Sequence, residues 1–328
     1  MGGLTAEDRL FMRRCLQLAR CGSGSTSPNP MVGAVIVHNG RIIGEGYHIR
    51  AGEPHAEVNA VASVADKSEL CRSTMYVTLE PCSHYGKTPP CAELIIKTGI
   101  PSVVVGAMDP FEKVRGRGVD MLRKAGVDVV TDVLGKECEA LNKHFMTAHK
   151  SGRPFVLLKW AESEDGFISK KGGEPVALSN ELTKMWMHRE RSRYDAIMVG
   201  TNTIITDNPQ LSVREWPGRN PRCVTFDCNG RLPKDCQVVS KEGTTVITEN
   251  IPLEDLLSRL YKENGITSLM VEGGAKLLQS FIDCGYYDEV RIERSAAKIG
   301  DGIKAPKISR DNMTVEEVGG HEIHLKRR

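Results

Sequence analysis

The sequence predicts an α/β protein of two domains. The chain has 328 residues, a length typical of about two domains. Apolar or β-branched runs alternate with segments of helical periodicity in both halves, as expected of sheets covered by helices. The alternation pauses at HKSGRP, residues 149–154, where glycine and proline interrupt it. We therefore predict one domain at residues 1–149 and a second at residues 150–328.

In the first half, the patterns predict a mixed sheet. Thr5 to Asp8 resemble a capping box, and apolar residues at helical spacing follow as far as Gly22. Two β-rich runs flank Asn39-Gly40, a strong hairpin signal. The later segments predict, in order, the helix PHAEVNAVASVAD, the strand TMYVTLE, the helix CAELIIKTG, the strand SVVVGAM, the helix GVDMLRKAG, the strand VDVVTDV and the helix KECEALNKHFMTAHK. We expect an initial hairpin followed by parallel strands.

The second half repeats the alternation with different segments. Strands are predicted at FVLLKWA, DAIMVG, RCVTFD, TTVIT, SLMVEGG and DEVRIER. Helices are predicted at NELTKMWMHRERSR, LEDLLSRLYKEN and AKLLQSFIDCG. These patterns predict a second α/β domain.

Composition and charge limit the classes of function. Hydrophobic residues make up 40% and charged residues 26%, and the net charge is +2. Apart from the terminal KRR there is no basic run, which argues against nucleic acid or a membrane surface as the main partner. The first residues lack a signal peptide's apolar core, so we expect a cytoplasmic protein whose ten cysteines are reduced.

Four residues in the first half form a candidate metal site: His55, Glu57, Cys82 and Cys91. One imidazole and two thiolates are zinc ligands that leave a fourth position for water. Each cysteine lies beside a proline near a predicted helix start, where backbone N–H groups favour thiolate. The order H-x-E … P-C … C is the signature of zinc nucleobase deaminases, in which the glutamate carries the proton to the departing amine.

Other interpretations of these residues stay open at this point. The two cysteines are nine positions apart, wider than the usual spacing. A structural zinc normally has four protein ligands, and His84 is the only obvious candidate for a fourth. In the second half, Glu272-Gly273-Gly274 between a strand and a helix could admit a phosphate or could simply form a tight turn.

Several segments resemble one family, the bifunctional RibD (or RibG) deaminase–reductases of riboflavin biosynthesis. They are TSPNPMVGAVIV, GYHIRAGEPHAEVNA, YVTLEPCSHYGKTPPC, DAIMVGTNTIITDNPQLSVR and VEGGAKLLQSFI. The resemblance covers nearly the whole chain, and the insert SHYGKTPP is more specific to the family than the zinc motif.

The resemblance implies a cytidine-deaminase-like α/β/α domain followed by a dihydrofolate-reductase-like α/β domain. The first would hydrolytically deaminate 2,5-diamino-6-ribosylamino-4(3H)-pyrimidinone 5′-phosphate. The second would use NADPH to reduce 5-amino-6-ribosylaminouracil 5′-phosphate to the ribitylamino product. The resemblance also implies one Zn²⁺ per chain and a homodimer or homotetramer.

The resemblance assigns roles to matching positions. His55, Cys82 and Cys91 would bind zinc, and Glu57 would be the catalytic proton carrier. Deaminase substrate-binding residues would be Asn29, His48 and Lys87. NADPH-binding residues would be Lys159, Ala161, Thr203, Asp207, Gly274, Ala275, Lys276, Leu277 and Leu278. Reductase substrate-binding residues would be Arg191, Leu211, Arg214 and Glu272.

Three alternatives to a bifunctional deaminase–reductase remain. Pro175 and Ala177 stand where many members have serine and tryptophan, so the deaminase could be active while the reductase is impaired or altered in specificity. The second alternative is a deaminase acting on a base in nucleic acid, which the near-neutral charge disfavours. The third is a structural zinc joined to a nucleotide-sensing domain, with no catalysis.

Overall fold

The computed structural model describes residues 5–85, 89–111, 115–173 and 176–328. Within these ranges the chain forms two compact units that divide between Ser151 and Gly152. Each unit is an α/β structure with its own sheet and its own buried core. No helix in the described ranges combines the length and the apolar character that a bilayer crossing requires.

The first unit contains a five-stranded mixed sheet. Its helices and strands are α1 (Ala6–Arg20), β1 (Gly33–His38), β2 (Arg41–Tyr47), α2 (Ala56–Ser63), β3 (Thr74–Leu79), α3 (Cys91–Thr98), β4 (Ser102–Ala107), α4 (Arg117–Lys124), β5 (Asp128–Val130), α5 (Gly135–Leu141) and α6 (Lys143–Ser151), with a 3-10 helix at Lys67–Arg72. The strand order is β2-β1-β3-β4-β5. β1 is antiparallel to β2 and β3, whereas β3, β4 and β5 are parallel. The predicted hairpin followed by parallel strands is confirmed.

Local sequence explains where α1 begins and how the chain turns between β1 and β2. The Thr5 backbone N–H donates to Asp8 Oδ2 and the Asp8 N–H donates to Thr5 Oγ1, each at 3.0 Å, so the capping box that begins α1 is confirmed. Asn39 and Gly40 have φ values of 49° and 71°, the left-handed pair that a two-residue hairpin turn needs.

Helices cover both faces of the first sheet. Because side chains alternate along a strand, Ala34 and Ile36 pack against α2, α3 and α4. Val35 and Val37 point the other way, towards α1, α5 and α6. The result is an α/β/α sandwich in which the central strands are buried on both sides.

The helix predicted over KECEALNKHFMTAHK is wrong in one respect, because the structure has two helices there, α5 and α6. The break is at Asn142, whose backbone leaves the helix with φ −107° and ψ 30°. Its buried side-chain amide donates to Met31 O at 2.9 Å and accepts from Met31 N–H at 2.8 Å. This pairing with Met31, two residues before β1, accounts for the break between α5 and α6.

The second unit contains an eight-stranded sheet. Its elements are β6 (Phe155–Glu162), β7 (Phe167–Lys170), α7 (Glu181–Arg191), β8 (Ala196–Val199), α8 (Thr201–Asp207), β9 (Arg222–Phe226), β10 (Thr245–Ile247), α9 (Leu253–Lys262), β11 (Ser268–Gly273), α10 (Ala275–Cys284), β12 (Glu289–Arg294), β13 (Gly302–Lys304), β14 (Thr314–Val318) and β15 (His321–Arg327), with a 3-10 helix at Lys171–Gly173. The strand order is β10-β9-β8-β11-β6-β12-β15-β14, and β7 pairs separately with β13.

Six strands of this sheet were predicted, but β7, β13, β14, β15 and helix α8 were not. β14 has the sequence TVEEV and is exposed along most of its length, so it lacks the apolar alternation of a half-buried strand. The short helix α8, TNTIITD, is rich in β-branched residues, which favour strands over helices.

The strand order of the second unit predicts a crevice at one edge of its sheet. β8, β9 and β10 step outwards in sequence, and β11 then returns to lie between β8 and β6. Ligands in open α/β sheets bind outside the carboxyl ends of the strands at such a reversal. Val199 and Gly273 pair at the ends of β8 and β11, so the segments that follow them border this crevice.

Candidate active sites

Three potential metal ligands converge in the first unit. His55 Nδ1 lies 3.7 Å from Cys82 Sγ and 3.4 Å from Cys91 Sγ. Zinc bonds of about 2.3 Å to sulfur and about 2.0 to 2.1 Å to nitrogen would place tetrahedral N and S atoms about 3.6 Å apart. The donor types and spacing therefore fit a zinc ion. In the part of the chain described, the cluster consists of His55, Cys82 and Cys91 and does not include His84.

Local hydrogen bonds bring the two cysteines together in space, although they are nine positions apart in sequence. Cys82 follows β3, and Cys91 is the first residue of α3 with Pro90 as its N-cap. The Cys91 backbone N–H donates to Cys82 Sγ at 3.2 Å, and the Ala92 N–H donates to Cys82 O at 3.1 Å. Unpaired N–H groups at a helix start stabilise thiolate. The hydrogen bond with the Cys91 side chain, aided by those with His55 and the Cys91 backbone, lowers the pKa of Cys82 despite its burial.

Glu57 lies in the first turn of α2, two residues after His55. Its side chain is buried, and burial followed by the neighbouring Cys82 raises the pKa of Glu57 to about 7. A carboxyl group with a pKa near neutral can both accept and deliver a proton at physiological pH. Glu57 is therefore suited to carrying a proton beside the metal ligands.

A cavity of about 370 Å³ opens over this cluster, and Glu57, His55 and Cys82 line it. Asn29 and His48 line it too, so the structure brings two of the three predicted substrate-binding residues to the metal site. Asn29 Nδ2 lies 3.3 Å from His48 Nε2, and His48 Nδ1 lies 3.2 Å from Pro54 O. The third predicted residue, Lys87, lies outside the described residues.

Sequence reasoning missed several residues of the cavity wall. Asp109, Phe111 and His149 also line the cavity. Asp109 lies two residues after the end of β4, whose carboxyl end is at the same sheet edge as that of its parallel neighbour β3, and this position could have indicated it. The His149 ring packs against Phe145 with centroids 4.3 Å apart, and no local pattern signals that arrangement.

Glu80 organises the segment that carries Asp109. Its carboxylate is buried and accepts four backbone N–H bonds at 3.0 to 3.3 Å. The donors are Asp109, Gly116, Gly118 and Val119. Because Glu80 is two residues from Cys82, these four hydrogen bonds hold the segment after β4 beside the metal ligands. Gly118 permits the approach, since a Cβ there would lie 2.0 Å from Pro81 O.

In the second unit, the glycine pair Gly273-Gly274 at the end of β11 borders the crevice. Gly274 has a φ of 78°, which glycine tolerates and other residues rarely adopt, and it is the N-cap of α10. Thr203 of α8 packs against the pair, because a Cβ on Gly273 would lie 3.2 Å from the Thr203 methyl group. A half-buried glycine at a helix N-terminus beside a strand-order reversal fits a dinucleotide phosphate.

Arg191 and Glu272, both predicted to bind the reductase substrate, contact each other. Arg191 Nε donates to Glu272 Oε1 at 2.8 Å, and Nη2 donates to Oε2 at 2.6 Å. The half-buried Lys159 of β6 lies close enough for its positive charge to help lower the pKa of Glu272. Burial lowers the pKa of Lys159, and attraction to Glu272 and Glu293 opposes this effect. These residues form one charged cluster.

The remaining predicted residues differ in exposure. Arg214 and Asp207 are exposed, and Arg214 Nη1 donates to Gln210 Oε1 at 3.0 Å. Ala161 of β6 is half-buried, as are Ala275 and Leu277 of α10, whereas Lys276 is exposed. Leu211 and Leu278 are buried. Leu278 packs in the core, so any contact with a cofactor there would come from backbone atoms.

The alternative of an impaired reductase rests on two positions. Pro175 lies outside the described residues, and Ala177 is exposed. The comparisons with known proteins give this alternative no support.

Two family models match the chain. Residues 5–107 match the cytidine and deoxycytidylate deaminase zinc-binding region. Residues 154–313 match the RibD C-terminal domain. Each match therefore lies within one of the two units.

Curated relatives match over most of their length. The riboflavin biosynthesis protein RibD of Actinobacillus pleuropneumoniae is 41% identical over 324 residues, covering 90% of this chain and 85% of the relative. That of Escherichia coli K12 is 35% identical over 321 residues, covering 87% of each chain.

Solved structures agree with these sequence matches. Acinetobacter baumannii RibD superposes with a TM-score of 0.89 at 32% identity, covering 97% of this chain and 98% of that one. A Thermotoga maritima enzyme gives a TM-score of 0.88 at 36% identity and 98% coverage of both chains. It is described as a diaminohydroxyphosphoribosylaminopyrimidine deaminase/5-amino-6-(5-phosphoribosylamino)uracil reductase. The chain belongs to the RibD family of riboflavin biosynthesis proteins, bifunctional enzymes with a zinc-binding deaminase domain and an NADPH-dependent reductase domain.

Proposed function

We propose that the chain catalyses two successive steps on one pyrimidine nucleotide. Residues 1–149 hydrolytically deaminate 2,5-diamino-6-ribosylamino-4(3H)-pyrimidinone 5′-phosphate. Residues 150–328 then reduce 5-amino-6-ribosylaminouracil 5′-phosphate to the ribitylamino product with NADPH. The observation that carries the first step is the meeting of His55, Cys82, Cys91 and Glu57 at one cavity.

In the deaminase, His55, Cys82 and Cys91 hold the metal. Zinc bound there supplies a Lewis acid that makes water nucleophilic near neutral pH. Glu57 takes a proton from the attacking water and passes it to the amine that leaves as ammonia, a role supported by its burial and its pKa near 7. Water thus adds at the amidine carbon, and the amine departs as ammonia.

Asn29 and His48 bind the pyrimidine edge in this proposal. Burial lowers the pKa of His48, which favours the neutral imidazole. A neutral His48 donates from Nδ1 to Pro54 O and accepts from Asn29 Nδ2 at Nε2, and this orients the Asn29 amide, whose oxygen and second N–H complement a polar heterocycle. Lys87 would bind the substrate phosphate, as the family resemblance implies.

In the reductase, NADPH supplies the hydride and the protein orients it. The backbone at Gly274 and the first turn of α10, together with Thr203 and Asp207, bind the cofactor, with Lys159 and Ala161 at the end of β6. Glu272, Arg191, Leu211 and Arg214 bind the nucleotide substrate. Because Arg191 is already paired with Glu272, the pair acts as one fixed polar surface rather than as a free cation.

Two further properties are part of the proposal. The enzyme works in the cytoplasm, which the reduced state of a zinc-binding cysteine pair supports. It acts as a homodimer or homotetramer without a nucleic-acid partner, a state that analytical ultracentrifugation of the purified chain would test.

The test is a two-step assay on the zinc-replete chain. We expect the diaminopyrimidine nucleotide to release ammonia, and we expect NADPH absorbance to fall in step. Chelation of zinc should abolish ammonia release but leave reduction of the pre-deaminated substrate unchanged, and added zinc should restore the first step. Absence of both activities in zinc-replete protein would overturn the proposal.

A further inference from the structure

Helix α7 holds the segment that carries Arg214 through two of its side chains. His188 and Arg191 lie one turn apart on α7, and both are buried. Arg191 Nη1 donates to Ser212 O at 3.3 Å, and the Arg214 backbone N–H donates to His188 Nδ1 at 3.1 Å. The backbone on either side of Val213 is therefore fixed to the same face of α7.

The segment itself has a backbone that needs such support. Leu211, one of the predicted substrate-binding residues, has a φ of 50°, in the left-handed region that residues other than glycine rarely adopt. Such conformations persist only where surrounding contacts hold them. A further bond joins the segment to its own loop, since the Val213 N–H donates to Asn220 Oδ1 at 2.7 Å. Hydrogen bonds to α7 and within the loop thus fix residues 212–214.

The acceptor role of His188 depends on a neutral imidazole. Nδ1 can accept the Arg214 N–H only while it carries no proton, so the proton of the neutral ring is on Nε2. Nε2 lies 3.9 Å from Glu215 Oε1. Burial and then the positive charge of Arg191 lower the pKa of His188, and Glu215 opposes this only in part. The surroundings of the ring therefore favour the form that this hydrogen bond requires.

The Arg214 side chain keeps its charge available. Its Nη1 donates to Gln210 Oε1 at 3.0 Å and to Ser212 Oγ at 3.1 Å, and both of these acceptors are uncharged. Arg191, in contrast, has its charge matched by the Glu272 carboxylate. Arg214 is also exposed, so its guanidinium can form charge-assisted hydrogen bonds to a ligand. The direction of this side chain depends on where its backbone is held.

We propose that His188 is a positioning residue of the reductase: by accepting the Arg214 backbone N–H, it directs the Arg214 guanidinium into the binding site of the pyrimidine nucleotide. His188 acts through Arg214 and not by touching the substrate. The inference rests on the substrate-binding role proposed above for Arg214, and it adds a residue to which that proposal gave no role. A buried imidazole with a purely structural role would instead affect the binding of both reductase substrates alike.

Steady-state kinetics of the reductase in the full-length chain test this role, with 5-amino-6-ribosylaminouracil 5′-phosphate and NADPH varied in turn. His188→Phe and His188→Leu remove the acceptor, whereas His188→Asn keeps a carbonyl oxygen that can accept. The first two should raise the KM for the pyrimidine nucleotide about 3- to 10-fold, the net effect of losing one hydrogen bond. In these variants kcat and the KM for NADPH should change less than about 2-fold, and His188→Asn should stay within about 2-fold of wild type throughout.

A double-mutant cycle separates action through Arg214 from a general effect on the fold. In an Arg214→Ala background, His188→Phe should add less than about 2-fold to the KM, because the side chain that it positions is gone. His324→Phe is the matched control, since it removes an imidazole of the same unit that pairs with the exposed Glu322, and it should leave both KM values at the wild-type level. Urea denaturation of each variant checks that the compared chains are folded.

Three results would overturn the inference: independent, multiplicative effects in the double variant, equal increases in both KM values, or a His188→Asn variant as impaired as His188→Phe. An Arg214→Ala variant with an unchanged KM for the pyrimidine nucleotide would overturn the proposed role of Arg214 itself, and this inference with it. A raised KM in Arg214→Ala beside a normal KM in His188→Phe and His188→Leu would overturn this inference alone.

Discussion

Arg191 and Glu272, 81 residues apart in sequence, form a two-bond ion pair with their side chains only 9% and 8% exposed. The Arg191 guanidinium also donates to Ser212 O at 3.3 Å, which ties the pair to the segment that follows α8. Buried charges are tolerated when their hydrogen-bonding groups are matched, as they are here. The pair therefore fixes two predicted substrate-binding residues before any substrate arrives.

Removing one partner of this pair should destabilise the second unit strongly. Arg191→Ala leaves a buried carboxylate without its counter-ion, so we expect a loss of about 3 to 5 kcal/mol in the free energy of unfolding. Urea denaturation followed by tryptophan fluorescence measures it. Arg193→Ala, which breaks an exposed pair with Glu190, is the control and should cost less than about 1 kcal/mol. Similar costs in the two variants would contradict the expectation.

The same pair predicts a pH dependence of stability. Burial alone would raise the pKa of Glu272, but the Arg191 charge and its hydrogen bonds outweigh burial and lower it. A carboxyl group whose pKa is lower in the folded state adds stability above its unfolded pKa of about 4.3, and this stability disappears as pH falls through the folded pKa. The difference in unfolding free energy between wild type and Glu272→Gln should be constant at neutral pH and shrink below about pH 4. A difference that grows on acidification would refute this sign.

Glu80→Ala should impair the deaminase without affecting the reductase. The change leaves four backbone N–H groups of the segment 109–119 without their acceptor, at a cost of about 1 to 3 kcal/mol for each that stays buried and unsatisfied. We expect a raised KM for the pyrimidine nucleotide, because Asp109 loses its position in the cavity wall. Glu80→Gln keeps one acceptor oxygen and should fall between. Steady-state kinetics of both steps measure the effect. Unchanged deaminase kinetics in Glu80→Ala would contradict the role of Glu80 in positioning Asp109.

Glu57→Gln should separate metal binding from catalysis. The three ligand side chains remain, so zinc content by elemental analysis should stay near one per chain, while ammonia release should fall by about 10²- to 10⁴-fold. Glu53→Gln, an exposed change four residues earlier, should behave as wild type. Loss of zinc in Glu57→Gln would assign this residue a role in the metal site, and full activity would remove it from the proton transfer.

Much of the fold followed from local pattern. The hairpin at Asn39-Gly40, the capping box at Thr5 and six strands of the second sheet depend on residues near one another in sequence, so they could be predicted. The break at Asn142 and the exposed strand β14 could not. Asn142 leaves the helix for Met31, 111 residues away, and β14 is held by pairing with β15 rather than by apolar alternation.

The sequence by itself determined the chemistry of the metal site. His55, Glu57, Cys82 and Cys91 are recognisable because residue type and order decide which ions they can bind. Only the tertiary structure decided how groups remote in sequence meet. It paired Arg191 with Glu272, and it placed Asp109 and His149 in the wall of the cavity. The physical reason is that strand order and helix packing, which arise from burial over the whole unit, bring such side chains within hydrogen-bonding distance.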